Sequence, residues 1–200
     1  MNKIIALVGM TGSGKTVISD YLTNKGYLFL RFGQITLDIL KDKGLELNEA
    51  NERKIREDVR KKYGMGAYAT LNIPKFDEFI KKGNVIADGL YSWSEYKILK
   101  ERYGSQLIVI SVFAPPSVRY ARLEQRTHVK EDSDMKNRPL SKEQAKSRDF
   151  AEIENLEKGG PIAMADFTII NLGTKEELIY NLNKILKEIM KIAAPSLSPT

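Results

Sequence analysis

A glycine-rich stretch near the start of the chain, VGMTGSGKTVIS at residues 8–19, constrains the fold more than any other feature. Residues 9–16 fit the pattern GxxxxGK[ST] in full, behind the apolar run IIALV and ahead of a helical pattern. Glycines let backbone N–H groups turn towards a phosphate, and the following helix N-terminus adds its positive end. The stretch therefore predicts a strand, a phosphate-binding loop and a helix, in that order.

The residue types in this loop assign it to nucleotide binding. In the motif, Lys15 reaches the β- and γ-phosphates of a nucleoside triphosphate, and the Thr16 hydroxyl binds Mg²⁺. Average residue usage produces an accidental match in on the order of one chain in a hundred of this length. We therefore expect ATP and Mg²⁺ as cofactors. The residues expected to hold the triphosphate are Met10, Thr11, Gly12, Ser13, Gly14, Lys15 and Thr16.

Composition narrows the class of protein and of partner. The 200 residues contain no cysteine and one histidine, which excludes disulfides, thiolate metal sites and a histidine zinc cluster. The net charge is +6, but there is no aromatic–glycine signature of an RNA-binding sheet, so we expect no nucleic-acid partner. No apolar stretch approaches the roughly 18 residues that span a membrane. We expect a cytoplasmic protein without a membrane partner, either a monomer or a homodimer.

Apolar runs alternate with helical patterns along the chain. Strands are predicted at 3–8, 27–32, 84–88, 106–113 and 166–170. Because these runs are apolar without alternation, they indicate a parallel sheet covered on both faces. The expected fold class is α/β, a three-layer P-loop NTPase fold with about five parallel strands. Capping boxes at Ser92, Ser141 and Thr174 predict three helix starts.

Two stretches interrupt this alternation. Residues 33–83 insert extra helices after the second strand. Residues 127–141, THVKEDSDMKNRPLS, are polar and proline-broken after the fourth strand, which is typical of a lid. We interpret residues 1–192 as a single domain and residues 193–200 as a tail.

An acidic residue marks the carboxyl end of the third strand. Asp88 ends the apolar run and precedes Gly89, so it is expected in the crevice where parallel sheets bind ligands. There it would hold Mg²⁺ through water or accept a proton from the attacking group. Tyr91 and Trp93 follow closely and either line an acceptor pocket or belong to the core.

Arginines cluster around the predicted lid. Arg122 and Arg126 lie four residues apart on one helical face at its edge. With Arg138 and Arg148 they would close over the triphosphate and neutralise charge on the transferred group. Arg119 is interpreted instead as an ordinary solvated helix arginine.

Sequence motifs distinguish three classes of protein that use a nucleoside triphosphate: switches, motors and kinases. A guanine-nucleotide switch needs an Asn-Lys-x-Asp base reader, whereas Asn24-Lys25 is followed by Gly26-Tyr27. A ring-forming motor ATPase needs more chain for a second helical subdomain. It also needs adjacent acidic residues after an apolar run, where Asp88 stands alone before glycine. The remaining layout favours phosphoryl transfer to a second substrate.

Several segments together resemble the nucleoside-monophosphate kinase superfamily, with the nearest likeness to dephospho-CoA kinases and the adenylate-kinase-related proteins of archaea. They are GMTGSGKT at 9–16, FGQI at 32–35, ADGL at 87–90, RLEQR at 122–126, SRDFAEIE at 147–154 and AMADFTIINLGTKEEL at 163–178. The resemblance implies a P-loop kinase domain that transfers a phosphoryl group from ATP with Mg²⁺ to a nucleotide-like acceptor. It also implies that Arg122 and Arg126 are lid arginines and that Asn171, Gly173 and Thr174 lie against the adenine.

The acceptor side departs from the family pattern. Monophosphate kinases usually show Gly-Asp and then an arginine at the first inserted helix, where this chain has Gly33 and Gln34. We hypothesise that the missing positive charge comes from Arg31, Arg56 and Arg60. The acceptor-binding residues expected are Arg31, Gly33, Gln34, Arg56, Arg60 and Tyr91.

The sequence thus favours an ATP-dependent small-molecule kinase that transfers the γ-phosphoryl group to a nucleotide or dephospho-CoA-like acceptor. Its expected catalytic residues are Lys15, Asp88, Arg122, Arg126 and Arg148, with Thr16 and Asp88 at the metal. The alternative is a nucleotide-binding regulatory P-loop ATPase with weak or no kinase activity, which the altered acceptor positions favour.

Overall fold

The computed structural model describes residues 1–126 and 139–193. Strands and helices alternate as the sequence predicts, with ends that agree within about two residues. The strands are β1 Ile4–Val8, β2 Leu28–Arg31, β3 Val85–Asp88, β4 Leu107–Phe113 and β5 Phe167–Ile170. The helices are α1 Lys15–Asn24, α2 Gln34–Asp42, α3 Glu49–Tyr63, α4 Ala67–Lys82, α5 Trp93–Tyr103, α6 Pro116–Glu124, α7 Lys142–Leu156, α8 Gly159–Ala163 and α9 Lys175–Ala193.

The five strands form one parallel sheet in the order β2-β3-β1-β4-β5. This confirms the predicted α/β fold with helices on both faces. In the register, Leu7 lies beside Asp88, and Arg31 lies beside Asp88 on the other side. The carboxyl ends of β1, β2 and β3 therefore meet at one edge, where the glycine-rich loop leaves β1.

The core divides into two apolar layers because alternate residues of β1 face opposite sides of the sheet. Ile4, Ala6 and Val8 pack with the layer that includes Phe32 and Phe76. Ile5 and Leu7 pack with the layer formed by α1 and α9. With both faces covered, every β1 residue is buried, which is why the run reads as continuously apolar.

The segment between β2 and β3 forms α2, α3 and α4, as predicted for the insertion. Phe76 of α4 anchors it against Phe32 with ring centroids 5.8 Å apart, and against Tyr103 of α5 at the same distance. Inside the insertion, the hydroxyls of Thr36 and Tyr68 lie 2.7 Å apart and are buried. The insertion thus shares the core of one sheet face.

The three predicted capping boxes are present. Ser92 pairs with Glu95 and Ser141 pairs with Gln144, each reciprocally. Thr174 accepts from the N–H of Glu177, whose carboxylate accepts in turn from the N–H of Thr174. Each pair satisfies free amides in the first helical turn.

Arg119 is buried and connects three segments, so its interpretation as a solvated arginine is wrong. Its guanidinium, 4 % exposed, makes paired bonds of 3.0 and 2.6 Å to the Asp149 carboxylate on α7. It also donates to the carbonyls of Ala114 at 2.9 Å and Thr11 at 3.0 Å. Tyr120 donates its hydroxyl to the same carboxylate at 3.0 Å. The sequence pattern could not reveal this, because the partner lies thirty residues away.

Most of the predicted lid, and Arg138 with it, lies outside the described residues, as do residues 194–200 of the predicted tail. Helix α9 continues to Ala193, one residue beyond the predicted boundary. Within the described residues, Leu140 donates its N–H to the carbonyl of Leu123 at 3.3 Å. The last residues of the predicted lid therefore lie against the end of α6.

We expect Asp149→Ala to lower the free energy of unfolding by about 3–5 kcal/mol, because it leaves the Arg119 charge buried without its partner. Urea unfolding monitored by circular dichroism would measure this. Glu78→Ala is the matched control, since it breaks the exposed Glu78–Lys82 pair. Water screens that pair, so the control should leave the midpoint almost unchanged. Equal midpoints for the two variants would contradict a structural role for the buried pair.

Candidate functional site

The loop between β1 and α1 has the tight backbone that its glycines predict. Gly9, Gly12 and Gly14 have φ angles of 135°, 82° and 111°, which side-chain-bearing residues rarely adopt. A Cβ at Gly14 would lie 2.4 Å from Nδ2 of Asn171, and one at Gly12 would lie 2.9 Å from the carbonyl of Arg119. The loop is therefore packed against its neighbours and needs glycine for space as well as for conformation.

Asn171 fastens this loop to the end of β5. Its buried side chain donates to the carbonyl of Ser13 at 2.8 Å. Arg122 of α6 reaches the same region, donating to Asn171 Oδ1 at 3.5 Å and to the carbonyl of Gly173 at 3.4 Å. Thr174 lies next to them and caps α9. The structure thus places Arg122, a predicted lid arginine, beside Asn171, Gly173 and Thr174, which the resemblance predicts to lie against the adenine.

Lys15 folds back over the loop. Its ammonium donates to the carbonyls of Gly9 at 2.7 Å and Met10 at 3.1 Å. Burial is the main cause that lowers the pKa of Lys15 from 10.5 to about 7, and the nearby Lys158 lowers it further. The carboxylates of Asp88 and Glu152 oppose this shift. A negatively charged ligand would restore the charged form, because an opposite charge favours it.

A buried ion cluster lies beside Lys15, and two of its members were not predicted. Lys158, 1 % exposed, donates to Glu152 Oε2 at 2.5 Å. Arg148, a predicted site residue, donates to Glu152 Oε1 at 3.0 Å. Thr11 of the loop donates to the same oxygen at 3.4 Å. Glu152 therefore joins two cations to the phosphate-binding loop.

The charges of this cluster control its protonation. Burial alone would raise the pKa of Glu152, but Lys158 and Arg148 outweigh it and lower that pKa to about 2. Burial lowers the pKa of Lys158, and Glu152 opposes the shift. Glu152 consequently remains a carboxylate at neutral pH and acts as a fixed counter-charge.

A left-handed residue turns Lys158 inwards. Helix α7 ends at Leu156, and Glu157 adopts φ 52°, the one positive φ outside glycine among the described residues. Lys158 then donates its N–H to the carbonyl of Glu152 at 3.3 Å. Gly160 follows against Trp93, where an added Cβ would lie 2.9 Å from the indole. In the sequence, this lysine stands between the end of a helix and Gly-Gly-Pro. That pattern is typical of an ordinary exposed turn and does not indicate a buried lysine.

Asp88 and Tyr91 lie on the opposite side of the cluster. Asp88 is half-buried at the end of β3, and its charge raises the pKa of Lys15. Burial first, and Asp88 second, raise the pKa of the Tyr91 hydroxyl to about 12, so it stays protonated. The Lys158 ammonium lies 4.5 Å from the centre of the Tyr91 ring. Tyr91 therefore contacts the charged cluster and is more than a core aromatic.

The predicted acceptor residues occupy three places. Arg31 ends β2 beside Asp88 in the register, and its charge lowers the pKa of Tyr91. Gln34 is exposed and donates to Asp38 at 2.9 Å, just after Gly33. Arg56 pairs with Glu52 at 3.1 Å on α3.

Arg60 belongs to a separate polar group within the insertion. Its guanidinium lies 5.2 Å from the Tyr68 ring centre, and its buried Nε has no hydrogen-bond partner. One carboxylate oxygen of the buried Glu95 accepts from the N–H groups of Tyr91 and Ser92, and its other oxygen has no hydrogen-bond partner. Burial raises the pKa of Glu95, and the charge of Arg60 opposes this shift. Glu95 thus bonds to the backbone of Tyr91 and is influenced by the charge of Arg60.

The described residues fit a nucleotide phosphate. Ser13 Oγ in the loop and Arg122 Nη1 on α6 are buried without hydrogen-bond partners. Ser13 Oγ lies 3.0 Å from where a Cβ on Gly9 would be, and Arg122 bonds to Asn171, which in turn bonds to the loop at Ser13. Within residues 1–126 and 139–193, no three acidic or histidine side chains gather into a metal site. Thr16 and Asp88, the predicted metal ligands, would need oxygens from a nucleotide to complete a magnesium site.

The solved structures that resemble this chain share its fold. A gluconokinase from Sinorhizobium meliloti 1021 superposes with a TM-score of 0.59 at 14% identity, covering 97% of each chain. Shikimate kinase from Acinetobacter baumannii, in complex with shikimate, gives 0.56 at 20% identity and covers 94% of each. At these identities the likeness establishes the α/β fold of P-loop kinases.

Relatives by sequence are archaeal. A "UPF0200 protein" of Thermococcus onnurineus is 30% identical over 94% of this chain and 98% of its own length. A "UPF0200/UPF0201 protein" of Archaeoglobus fulgidus is 32% identical over 94% of this chain, but the chain spans only 56% of that longer relative.

A family model described as "AAA domain" matches residues 5–148, which include the loop, Asp88 and the lid arginines. None of the helices in the described part of the chain is long and apolar enough to cross a membrane. On the strength of both sequence matches, this chain is a member of the UPF0200 family of P-loop proteins and belongs to the family described as AAA domain.

Proposed function

We propose that the protein is an ATP-dependent kinase of a small, nucleotide-like molecule. The observation that carries this proposal is that three groups meet at the carboxyl edge of the sheet: Lys15 on the loop, the Arg148–Glu152 pair bonded to Thr11 of that loop, and Asp88 at the end of β3 beside β1. A P-loop that only binds a nucleotide has no need of further charged groups from the opposite side. In-line phosphoryl transfer needs them, since it proceeds by positioning and charge stabilisation.

The donor side follows from the loop contacts. Met10 to Thr16 hold the triphosphate, and Lys15 exchanges its two carbonyl partners for phosphate oxygens. Asn171, Gly173 and Thr174 border the base, while Arg122, Arg126 and Arg148 close over the triphosphate. Mg²⁺ would be held by the Thr16 hydroxyl and the phosphates, with Asp88 reaching it through water, and would neutralise phosphate charge.

Asp88 is the proton acceptor in this proposal. Glu152 is a poor base because its neighbours hold its pKa near 2. The Tyr91 hydroxyl stays protonated at neutral pH and serves as a donor. Asp88 is half-buried at the strand end, and its charge acts on Lys15. Its carboxylate is the group that accepts the proton in this proposal.

The acceptor binds between Tyr91 and the insertion. Arg31, Arg56 and Arg60 supply positive charge there, and the unpartnered polar atoms of Arg60 and Glu95 are available to a polar ligand. The backbone of Gly33 and the exposed Gln34 line the entrance. A nucleotide or dephospho-CoA-like acceptor has the anionic groups that such arginines pair with.

A regulatory ATPase with weak or no kinase activity is the second candidate. The match to a family described as AAA domain favours it, and so do the altered acceptor positions at Gly33 and Gln34. Both functions use the same loop, so the acceptor distinguishes them.

We expect a non-hydrolysable ATP analogue to raise the melting temperature, and one acceptor among AMP, CMP, UMP, dTMP and dephospho-CoA to raise it further. That acceptor should then be phosphorylated by ATP, and Lys15→Ala should abolish transfer while the fold remains intact. Thermal shift and phosphate transfer measure the two steps. No response to any acceptor favours the regulatory ATPase, and transfer by Lys15→Ala contradicts the mechanism.

Nucleotide binding should weaken with rising pH above about 7. Lys15 has a folded-state pKa of about 7 and is neutral above it, whereas bound phosphates require its charged form, so binding takes up a proton. Between pH 7.5 and 9 the dissociation constant of ADP should rise towards about tenfold per pH unit. Titration calorimetry measures it, with Lys15→Arg as the control. A pH-independent constant in the natural protein would contradict the shifted pKa.

Arg56→Ala and Arg60→Ala should each raise the acceptor KM about tenfold with little change in the ATP KM, because each removes an ionic hydrogen bond to the acceptor. Arg53→Ala on the same helix is the matched control, since Arg53 is 73% exposed and pairs with Glu57. Steady-state kinetics with the acceptor found above make the comparison. An unchanged acceptor KM would remove these arginines from the site.

A further inference from the structure

We propose that Lys158 is a catalytic residue that binds the γ-phosphoryl group of ATP and stabilises it during transfer, as a second cation opposite Lys15. The proposal rests on the proposed function, but its test uses nucleotide binding alone. Nothing in the sequence pattern marked this lysine. The case for it comes from where the fold places a charged group that could have remained in water.

The first argument is the cost of the burial. Lys158 is 1 % exposed and lies among the largest fully buried side chains. A long cationic side chain ordinarily extends its ammonium to solvent, and burial of an ammonium is unfavourable unless it is paired. Here the chain uses a left-handed residue at Glu157 to turn the lysine inwards. A surface position would have avoided both costs.

The second argument is location. Glu152, the partner of Lys158, also accepts from Thr11 of the phosphate-binding loop. On its other side Lys158 lies over the Tyr91 ring, which follows Asp88 on the acceptor side. Lys15 donates to the carbonyls of Gly9 and Met10 in the same loop, so both lysines are held at the loop, Lys158 through Glu152. The lysine therefore lies between the donor loop and the acceptor side.

The third argument is charge. Lys15, Lys158 and Arg148 share this space with the carboxylates of Asp88 and Glu152. With Lys15 protonated, three cations face two anions, and the repulsion from Lys158 adds to the burial that lowers the pKa of Lys15. A polyanion placed between Lys15 and Lys158 removes that repulsion. Glu152 holds Lys158 at the correct place when no nucleotide is bound.

In the reaction, the bond between the γ-phosphorus and the β–γ bridging oxygen breaks, and its electron pair stays on ADP. A bond forms between the acceptor oxygen and phosphorus, and the acceptor proton goes to Asp88. The charge on the equatorial oxygens of the transferred group is neutralised by Lys15 from the loop and by Lys158 from the turn between α7 and α8. Such preorganised cations stabilise charge in a water-excluded site.

The test compares ATP-analogue and ADP binding, because only the analogue carries the γ-phosphate. We expect Lys158→Met to weaken binding of a non-hydrolysable ATP analogue about tenfold or more, the loss of one ionic hydrogen bond, and to change ADP binding less than about twofold. Lys15→Met should weaken both. Calorimetry measures the constants. If Lys158→Met weakens both nucleotides equally, or neither, the proposal is wrong.

The fold should survive this change, since Glu152 keeps its bond to Arg148. If Lys158→Met fails to fold, the variant Lys158→Met with Glu152→Gln removes both charges together and takes its place in the same comparison. A second readout follows from any acceptor that is found, because kcat should fall while the acceptor KM stays unchanged. If no acceptor is found, the ratio of ATP-analogue to ADP affinity still decides the role of Lys158.

Discussion

The buried ion pair between Arg119 and Asp149 is the interaction on which the site depends. It joins the glycine-rich loop, the turn after β4 and helix α7, because one guanidinium bonds to all three. Helix α7 carries Arg148 and Glu152 on the same side as the loop and delivers Lys158 at its end. This pair therefore fixes the position of the loop relative to the cations on the other side of the site.

The charged residues that this pair positions largely neutralise one another. Lys15 uses loop carbonyls as partners, and Glu152 neutralises Lys158 and Arg148 in the absence of a phosphate. Low solvent access strengthens each of these interactions and makes an unpaired group costly. The arrangement suits a site that exchanges internal partners for a polyanion.

Family and fold answer different questions about this chain. Sequence matches place it in the UPF0200 family and in the family described as AAA domain, and structural neighbours include gluconokinase and shikimate kinase. The fold hosts several chemistries, so the substrate must be read from the site. In the proposed function, Arg60 and Tyr91 belong to the acceptor side, where Glu95 accepts from the backbone N–H of Tyr91.

The sequence by itself determined the strands, the helix starts and the phosphate-binding loop. These follow from local rules, such as glycine spacing, capping boxes and apolar periodicity. Only the tertiary structure decided that Arg119 is buried and that Lys158 and Glu152 enter the site. Their partners are distant in sequence or depend on one left-handed residue at Glu157, and a single sequence shows neither the partner nor the direction of a charged side chain.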